Sequence, residues 1–443
     1  MPKKKTALTI EERLQQALVP AEEQPYEVPE NWVWVYGKNI FMPMESRKPD
    51  GEDFYYIDID AIDNKNQVVT EAKKIKTAQA PSRASRKLHT GDTVFSLVRP
   101  YLKNIAYIDV QLSDCIASTG FFVCTPNAAL NDKYLYRLMV SSYVVDGLNK
   151  HMKGDNSPSI RKDDIENYPF PLPPLSEQQR IVERIEELFA KLDEAKERLQ
   201  EVADSFAVRK AAILHKAFTG ELTKQWRREN GVSDESWEEK KLGEVALLLS
   251  GQDFPPTKYN SDGNGIPYIT GASNFDDTHI LINRWTDEPS VIAQENDVLL
   301  VCKGSGYGKT IIADFKEAHI ARQIMALRVK EIIDNNLLLY YLRNKNRFIK
   351  EQGQGLIPGL SRKVILSLTI NLPTLPEQHE IVRLIDDLLA RERAAQQATE
   401  QALVSIDLMK KSILARAFRG ELGTNKASEA SALELLRQVL AEG

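Results

Sequence analysis

Residues 175–185 read LSEQQRIVERI, and residues 375–385 read LPEQHEIVRLI. When residues 171–222 are placed over residues 371–422 without a gap, 20 of the 52 positions are identical, and both copies end in Gly-Glu-Leu. Solenoid repeats recur every 20–50 residues or so, and a period of 200 residues therefore indicates duplication of a whole domain with its connecting segment. The constant offset predicts two connecting segments of equal length.

Each copy predicts a long helix with one apolar stripe. The stripe has alternating spacings of four and three residues, and in the first copy it comprises Ile181, Ile185, Leu188, Leu192, Ala195, Leu199, Val202 and Phe206. The second copy keeps this register but places Glu392 and Thr399 on the stripe, which continues to Met409. Such heptad spacing is typical of coiled-coil packing. About 40 residues at 1.5 Å each give a rod of roughly 60 Å, longer than one turn of B-DNA.

The segments before the two helices are related more loosely, and they predict the domain order. GDTVFSLV at 91–98 parallels ENDVLLVC at 295–302, and YLYRLM at 134–139 parallels LLYYLR at 338–343. We predict an α+β protein with two mixed α/β globular domains, separated by two long coiled-coil helices and related by an internal pseudo-twofold duplication. The expected order is a helical extension (1–25), a globular domain (26–170), a helical region (171–222), a linker (223–236), a second globular domain (237–370), a second helical region (371–422) and a tail helix (423–443).

Composition indicates a cytoplasmic protein whose charge is locally segregated. The net charge is −5, yet residues 65–103 carry nine Lys and Arg against two acidic residues, and residues 343–363 carry six against one. Three cysteines without CxxC spacing favour neither a disulfide framework nor a zinc site. The N-terminus lacks the apolar core of a signal peptide, and no stretch approaches the roughly 20 apolar residues of a membrane span.

The basic loops are the candidate DNA-binding surfaces, because Lys and Arg contact phosphates and Arg also reads guanine. Loops at 80–106, 151–162 and 351–363 are basic or rich in Gly, Pro and polar residues, and the last two occupy matching places in the two halves. The candidate DNA-binding residues are Lys76, Arg83, Arg86, Lys87, Arg99, Tyr101, Lys103, Lys153, Ser159, Lys303, Ser305, Tyr307, Lys309, Arg322, Gln323, Gln354, Arg362 and Lys363.

Two near-motifs leave a catalytic alternative open. DVLLVCKGSGYGKT at 297–310 ends like a phosphate-binding loop, but the position that should hold its first glycine is Lys303. Asp50, Glu71 and Lys73 could hold Mg²⁺ for phosphodiester cleavage, although so short a pattern occurs by chance. The alternative function is a self-contained Mg²⁺- or ATP-dependent DNA enzyme, such as a nuclease. No metal-ligand cluster of His and Cys is predicted.

Taken together, PLPPLSEQQRIVERI with NLPTLPEQHEIVRLI, AFTGEL with AFRGEL, and the segment GDTVFSLVRPYLKNIA resemble the specificity subunit of type I restriction–modification systems. The resemblance covers nearly the entire chain. It implies that each globular domain is a target recognition domain reading one half of a split double-stranded DNA site. It also implies that the two long coiled-coil helices pack antiparallel and that their length sets the spacer between the halves.

The resemblance also implies partners and cofactors. Two DNA-methyltransferase (modification) subunits would carry S-adenosylmethionine, and restriction subunits would carry ATP and Mg²⁺. This chain would bind no cofactor or metal and would not be catalytic by itself. By resemblance alone, Glu177, Gln178, Glu377 and Gln378 lie at the partner-subunit interface; capping of the helices is the alternative reading of these four residues.

Overall fold

The computed structural model describes residues 8–276, 279–304, 306–351 and 359–442, and it divides the chain into two compact units. Unit 1 comprises residues 1–199 and 402–443, and unit 2 comprises residues 200–401. Both divisions fall inside long helices. Each unit therefore contains one globular domain together with part of both helices.

The globular part of unit 1 is a mixed α/β domain that ends where the first long helix begins. In chain order its helices and strands are α1 (Ile10–Ala17), β1 (Val33–Tyr36), β2 (Asp53–Ile57), β3 (Ile62–Asp63), β4 (Val68–Val69), β5 (Lys73–Lys76), β6 (Ala84–Lys87), β7 (Thr93–Ser96), β8 (Ile105–Tyr107), β9 (Ile116–Ser118), β10 (Phe121–Cys124), α2 (Asp132–Met139), α3 (Ser142–Asn149), α4 (Lys162–Glu166), β11 (Pro169–Leu172) and α5 (Leu175–Phe218).

Unit 2 repeats this plan, and the long helix at its end, α11 (Leu375–Ala417), corresponds to α5. Its elements, followed by the tail helix of unit 1, are α6 (Lys224–Asn230), β12 (Glu238–Lys241), α7 (Leu242–Val245), β13 (Ala246–Ser250), β14 (Ile266–Ile269), β15 (Trp285–Thr286), β16 (Ile292–Gln294), β17 (Val298–Val301), β18 (Thr310–Ile312), β19 (Glu317–Ile320), β20 (Ile324–Val329), α8 (Asn335–Asn344), α9 (Asn346–Glu351), α10 (Arg362–Ser367), β21 (Thr369–Leu372), α11 (Leu375–Ala417) and α12 (Ala432–Glu442).

The sheets of the two units have matching connections. In unit 1, β1 pairs with β11, and β10-β7-β8 form an antiparallel sheet; in unit 2, β12 pairs with β21, and the sheet order is β13-β20-β17-β18. Each unit adds a four-stranded sheet with one parallel pair, ordered β5-β2-β9-β6 and β15-β14-β19-β16. The pattern confirms the α+β class and the internal duplication.

The first turns of each long helix belong to the core of the globular domain that precedes it. Ile181 and Ile185 are buried with Phe122 and Leu135 in unit 1, and Ile381 is buried in the corresponding core of unit 2. Full burial of such side chains contributes on the order of 1.5–3 kcal/mol each. Each globular domain is therefore fixed rigidly to the start of its own helix.

Within each unit the two long helices run antiparallel. In unit 1, Lys196 lies 3.0 Å from Asp407, and three residues earlier Asp193 pairs with Lys410. In unit 2, Arg209 lies 2.6 Å from Glu392, and Thr223 beyond the end of α5 donates to Glu377 at the start of α11. Position numbers rise on one helix as they fall on the other, which confirms the predicted orientation.

The contact stripe differs from the predicted one at two positions. Glu392 and Thr399 are 9% and 7% exposed, so both polar residues lie on the stripe as expected. The prediction was wrong for Val202 and Met409, which are 41% and 51% exposed. A straight α-helix has 3.6 residues per turn and drifts by about 20° per heptad, so the buried stripe moves to neighbouring positions along a helix of this length.

The N-terminal extension forms a helix, and it packs on the tail helix. Thr9 caps α1 through the main-chain N–H of Glu12, with the reciprocal bond of a capping box. The Arg13 guanidinium donates to the Leu440 carbonyl at 3.2 Å, and Leu14 shares a core with Leu436. Among the described residues no helix combines the length and apolarity needed to cross a bilayer.

Candidate nucleic-acid interface

In unit 1 the structure brings together two of the predicted DNA-binding loops. The turn between β7 and β8 meets the loop before α4, because the Arg99 N–H donates to the Pro158 carbonyl and the Ile160 N–H donates to the Leu97 carbonyl. Lys153 and Ser159 pair with each other across the second loop through two main-chain hydrogen bonds of 3.0 Å. Arg99, Lys153 and Ser159, which are distant in sequence, therefore lie on one surface.

The turn at 99–103 has an unusual backbone. Arg99 and Lys103 adopt left-handed conformations, with φ of +48° and +58°, on either side of a short 3₁₀ turn. Non-glycine residues rarely adopt this conformation, and such positions cluster at functional sites. The turn leaves Tyr101 and Leu102 45% and 39% exposed, while Arg99 also donates to the Asn156 carbonyl at 2.8 Å. This turn presents a cation, an aromatic ring and a second cation within five residues.

The candidate basic residues between the end of β5 and the end of β6 are exposed to different degrees. Lys76 and Arg83 are exposed, whereas Arg86 and Lys87 are half-buried. The Lys87 ammonium lies 2.6 Å from Glu45 and lowers the pKa of that carboxyl. Arg83 lines a cleft of about 910 Å³ together with Arg99. Of the predicted residues here, Arg83 and Arg99 are thus the best placed to meet a ligand.

Unit 2 joins the equivalent loops in the same way. Lys303 pairs with Gly359, and the Leu360 N–H donates to the Cys302 carbonyl at 2.9 Å. These contacts correspond to those of Ile160 and Leu97 in unit 1. Arg362 and Lys363 follow directly, exposed at the start of α10. The same pairing of loops therefore occurs in both halves of the chain.

The segment at 301–310 is a β-hairpin. The Lys309 carbonyl and the Val301 N–H bond across it at 2.8 Å, and Gly304 and Gly308 both have φ of +87°. A phosphate-binding loop leads from a strand into a helix, but here the Gly-Lys-Thr sequence leads into strand β18. Lys303 and Lys309 are exposed on the hairpin.

Tyr307 requires a correction. Its side chain is 8% exposed, and its hydroxyl donates to the Ile349 carbonyl at 2.9 Å. The ring packs in the core of unit 2, so Tyr307 supports the hairpin and is not a DNA contact.

The remaining candidates of unit 2 lie next to the hairpin. Arg322 and Gln323 are exposed, and Arg322 forms an ion pair of 2.8 Å with Asp253. Ser305 and Gln354 lie outside the described residues.

Glu177, Gln178, Glu377 and Gln378 are completely buried. Gln178 accepts from the Asn131 N–H and donates to the Ala129 and Pro173 carbonyls, and Gln378 makes the same three bonds to Asp334, Ile332 and Pro373. These bonds tie the start of each long helix to the globular domain before it. Their burial favours a structural role, and a contact with a partner subunit would have to be indirect.

Each buried glutamate accepts hydrogen bonds from a tryptophan before the first strand of its domain and from a residue in the segment that follows a long helix. Glu177 accepts from Trp32 at 2.7 Å and from Asn425 at 2.8 Å, and Glu377 accepts from Arg227 at 2.7 Å and from Trp237 at 3.1 Å. Sequence reasoning missed these partners. The matching tryptophans at 32 and 237, each preceding the first strand of its domain, were the available signal.

The Mg²⁺ near-motif is not assembled. Asp50 pairs with Arg47 at 3.2 Å, while the Lys73 ammonium pairs with Asp58 at 2.9 Å and Glu71 is exposed. Throughout the described ranges, no group of three or more His, Cys, Asp or Glu side chains is arranged to hold a metal ion.

Comparison with known proteins gives consistent matches. A family model described as the type I restriction modification DNA specificity domain matches residues 38–204 and again residues 234–403. A putative type I restriction enzyme MjaX specificity subunit of Methanocaldococcus jannaschii is 23% identical over 398 residues, covering 85% of this chain and 92% of that protein. The EcoKI specificity subunit of Escherichia coli is 25% identical over 347 residues, 72% of this chain and 74% of its own.

Two solved structures are similar over 90% of this chain at 31% identity. One is the HsdS subunit from Thermoanaerobacter tengcongensis, with a TM-score of 0.70 and 99% of that chain covered. The other was solved in work on complex assembly and conformational transition of the type I R-M system, with a TM-score of 0.76 and 100% of that chain covered.

Proposed function

The chain belongs to the family of type I restriction–modification DNA specificity subunits, and from this membership we propose that it reads a bipartite DNA sequence for its complex. Each family match covers one globular domain together with much of the long helix that follows it. On this proposal, the domain of unit 1 reads one half-site and the domain of unit 2 reads the other. A duplicated protein suits a site with two halves.

One observation carries this proposal. In both units the same two loops are hydrogen-bonded to each other, and exposed cations lie beside the contact. In unit 1 these cations include Arg99 and Lys153, and in unit 2 they include Lys303 and Arg362. Arginine offers bidentate contacts to guanine, and lysine contacts phosphates. We assign base reading to these joined loops and to Arg83, which lines the same cleft as Arg99.

The two long helices are assigned the spacing of the half-sites. They have 44 and 43 residues, so their lengths match closely. At 1.5 Å per residue each is about 65 Å long, which corresponds to roughly two turns of B-DNA. A protein rod of fixed length can hold two recognition surfaces at one separation and leave the bases between them unread.

The chemistry is assigned to partner subunits. Two modification subunits would bring S-adenosylmethionine, and restriction subunits would bring ATP and Mg²⁺. This chain would bind double-stranded DNA and hold the partners, without a cofactor of its own. Helix surfaces that carry no globular domain are the natural docking sites for these partners.

The test is a methylation assay with purified components. The chain alone is expected to be inactive, whereas the chain with its modification subunits should methylate a bipartite sequence. Arg83→Ala should weaken or alter methylation in one half-site only. Lys73→Ala is the matched control, because Lys73 is an exposed cation of the same domain that is paired with Asp58. Methylation or cleavage by the chain alone would contradict the proposal, as would an Arg83→Ala variant with unchanged affinity and sequence preference.

A further inference from the structure

A groove of about 900 Å³ in unit 1 lies between the globular domain and the two long helices. Its domain side is formed by Lys65, Lys103 and Arg137, and its helix side by side chains of α5 and α11 that include Phe189 and Lys411. The groove is an external channel, and cations line both of its sides.

The charges of the groove do not cancel. Its three carboxylates are all engaged: Glu186 pairs with Lys133, Asp193 with Lys410, and Asp407 with Lys196. Four other cations line the groove, and none of them forms an ion pair within the described part of the chain: Lys65, Lys103, Arg137 and Lys411. Lys65 and Lys411 are exposed. After internal pairing, the groove therefore keeps four positive charges.

The Phe189 ring contacts two cations of the groove, the unpaired Arg137 and Lys410, which is paired with Asp193. The Arg137 guanidinium lies 5.2 Å from the centre of the Phe189 ring, and the Lys410 ammonium lies 5.0 Å from the same ring. The cation–π contact of Arg137 orders its guanidinium without neutralising it. The groove is thus a partly ordered cationic surface.

The groove is continuous with the cleft that contains the candidate base-reading residues. Lys65 lines both the groove and the cleft of Arg83 and Arg99. Lys103 belongs to the same left-handed turn as Arg99. Lys65, Arg83 and Arg99 therefore connect the turn at 99–103 to the groove, in a cleft that Asp58, Asp60 and Asp63 also line, with Asp58 paired to Lys73.

Unit 2 contains a smaller groove at the equivalent place. It has a volume of about 570 Å³ and is lined by Lys210, Arg343 and Arg393, with Glu400 as its one carboxylate. Lys210 and Leu214 of this groove correspond to Lys410 and Leu414 of the first, at the same offset of 200 residues. A groove lined by cations therefore occurs in both copies, although the cations stand at partly different positions.

We propose that the groove of unit 1 binds the phosphodiester backbone of double-stranded DNA beside the half-site, so that α5 and α11 contribute phosphate contacts. The inference rests on the proposed function and adds the long helices to the DNA-binding surface. A duplex is favoured over an acidic protein segment because the cations continue into the base-reading cleft. The contacts are independent of sequence, and they position the duplex over Arg83 and Arg99.

The test measures the salt dependence of binding for the complex with its modification subunits. Lys65→Gln and Lys411→Gln are combined, and affinity is measured from 50 to 200 mM salt on a duplex with the site and on a scrambled duplex. The logarithm of the binding constant falls linearly with the logarithm of the salt concentration, and each lost phosphate contact should make this slope shallower by about 0.9. Between 50 and 200 mM salt, the affinity of the variant should therefore fall by a factor about 3.5 times smaller for each lost contact. Lys191→Gln is the control, because Lys191 is an exposed lysine of α5 that is paired with Glu187 and does not line the groove.

The expected result is a shallower slope on both duplexes, with the ratio between them unchanged. An unchanged slope would overturn the inference. The double variant could instead fail to assemble with the modification subunits, while the complex that still forms keeps the original slope. That result would also overturn the inference, and it would identify an acidic protein segment as the occupant of the groove. If the complex with the unsubstituted chain binds the two duplexes equally, the proposed function fails instead. The two failures are therefore distinguishable.

Discussion

Lengthening both long helices by one heptad should move the two halves of the recognised sequence apart. The insertions are placed after Leu199 and after Gln401, where the chain passes between its two units. Seven residues preserve the heptad register of the stripe, so packing within each unit is retained. At 1.5 Å per residue the insertion adds about 10.5 Å, and at 3.4 Å per base pair this is at most about three base pairs.

The assay maps methylated bases in DNA treated with the reconstituted complex. We expect the same half-site sequences with a spacer longer by one to about three base pairs, since helices inclined to the DNA axis give less than the full rise. A four-residue insertion at the same two points is the control: it shifts the stripe and should weaken binding without defining a new spacer. Efficient methylation at the original spacing by the heptad variant would refute the spacer role of the helices.

Three further predictions concern the buried polar groups. Glu377→Ala leaves the largely buried Arg227 with only the exposed Asp234 as a carboxylate partner and removes the acceptor of Trp237, so it should lower the free energy of unfolding by about 3 kcal/mol; urea denaturation with an unchanged midpoint would contradict this. Glu392→Leu, which copies Leu192 of the first helix, should leave stability equal or raise it by about 1 kcal/mol because its arginine partner is half-exposed; a thermal midpoint lowered by several degrees would count against it. His319 is buried with its pKa lowered by burial, so the neutral form stabilises unit 2 and its contribution should be lost as the pH falls below the ordinary value of 6.5; thermal unfolding at pH 7.5 and 5.5 should show a smaller loss in His319→Gln, and equal losses would exclude this role.

The repeated segments predicted the fold well because helix periodicity and equal length are local properties of the sequence. The long helices and the matching strands at 93–96 and 298–301 follow from patterns that a short window contains, whereas the antiparallel orientation of the helices came from the family resemblance. The error at Val202 arose from a strict heptad, which a straight helix does not keep over 40 residues. Periodicity therefore located the elements better than it located individual contacts.

The candidate site was predicted in part. Most of the cations that the sequence singled out on the joined loops are exposed in the structure, but the sequence could not distinguish Tyr307, whose burial depends on the chain at 349. The basic groove was missed because Lys65, Arg137 and Lys411 are far apart in sequence and each looks like an ordinary surface cation. The buried roles of Glu177 and Glu377 likewise depend on donors that only the tertiary fold brings to them.

The central claim is that each globular domain reads its own half of the DNA site. It is tested most directly by replacing residues 26–170 with the corresponding domain of the Thermoanaerobacter tengcongensis relative and mapping the methylated sequence with the modification subunits present. The account predicts a hybrid site, in which one half changes to a new sequence while the other half and the spacer stay the same. A change in both halves, or in neither, would contradict it.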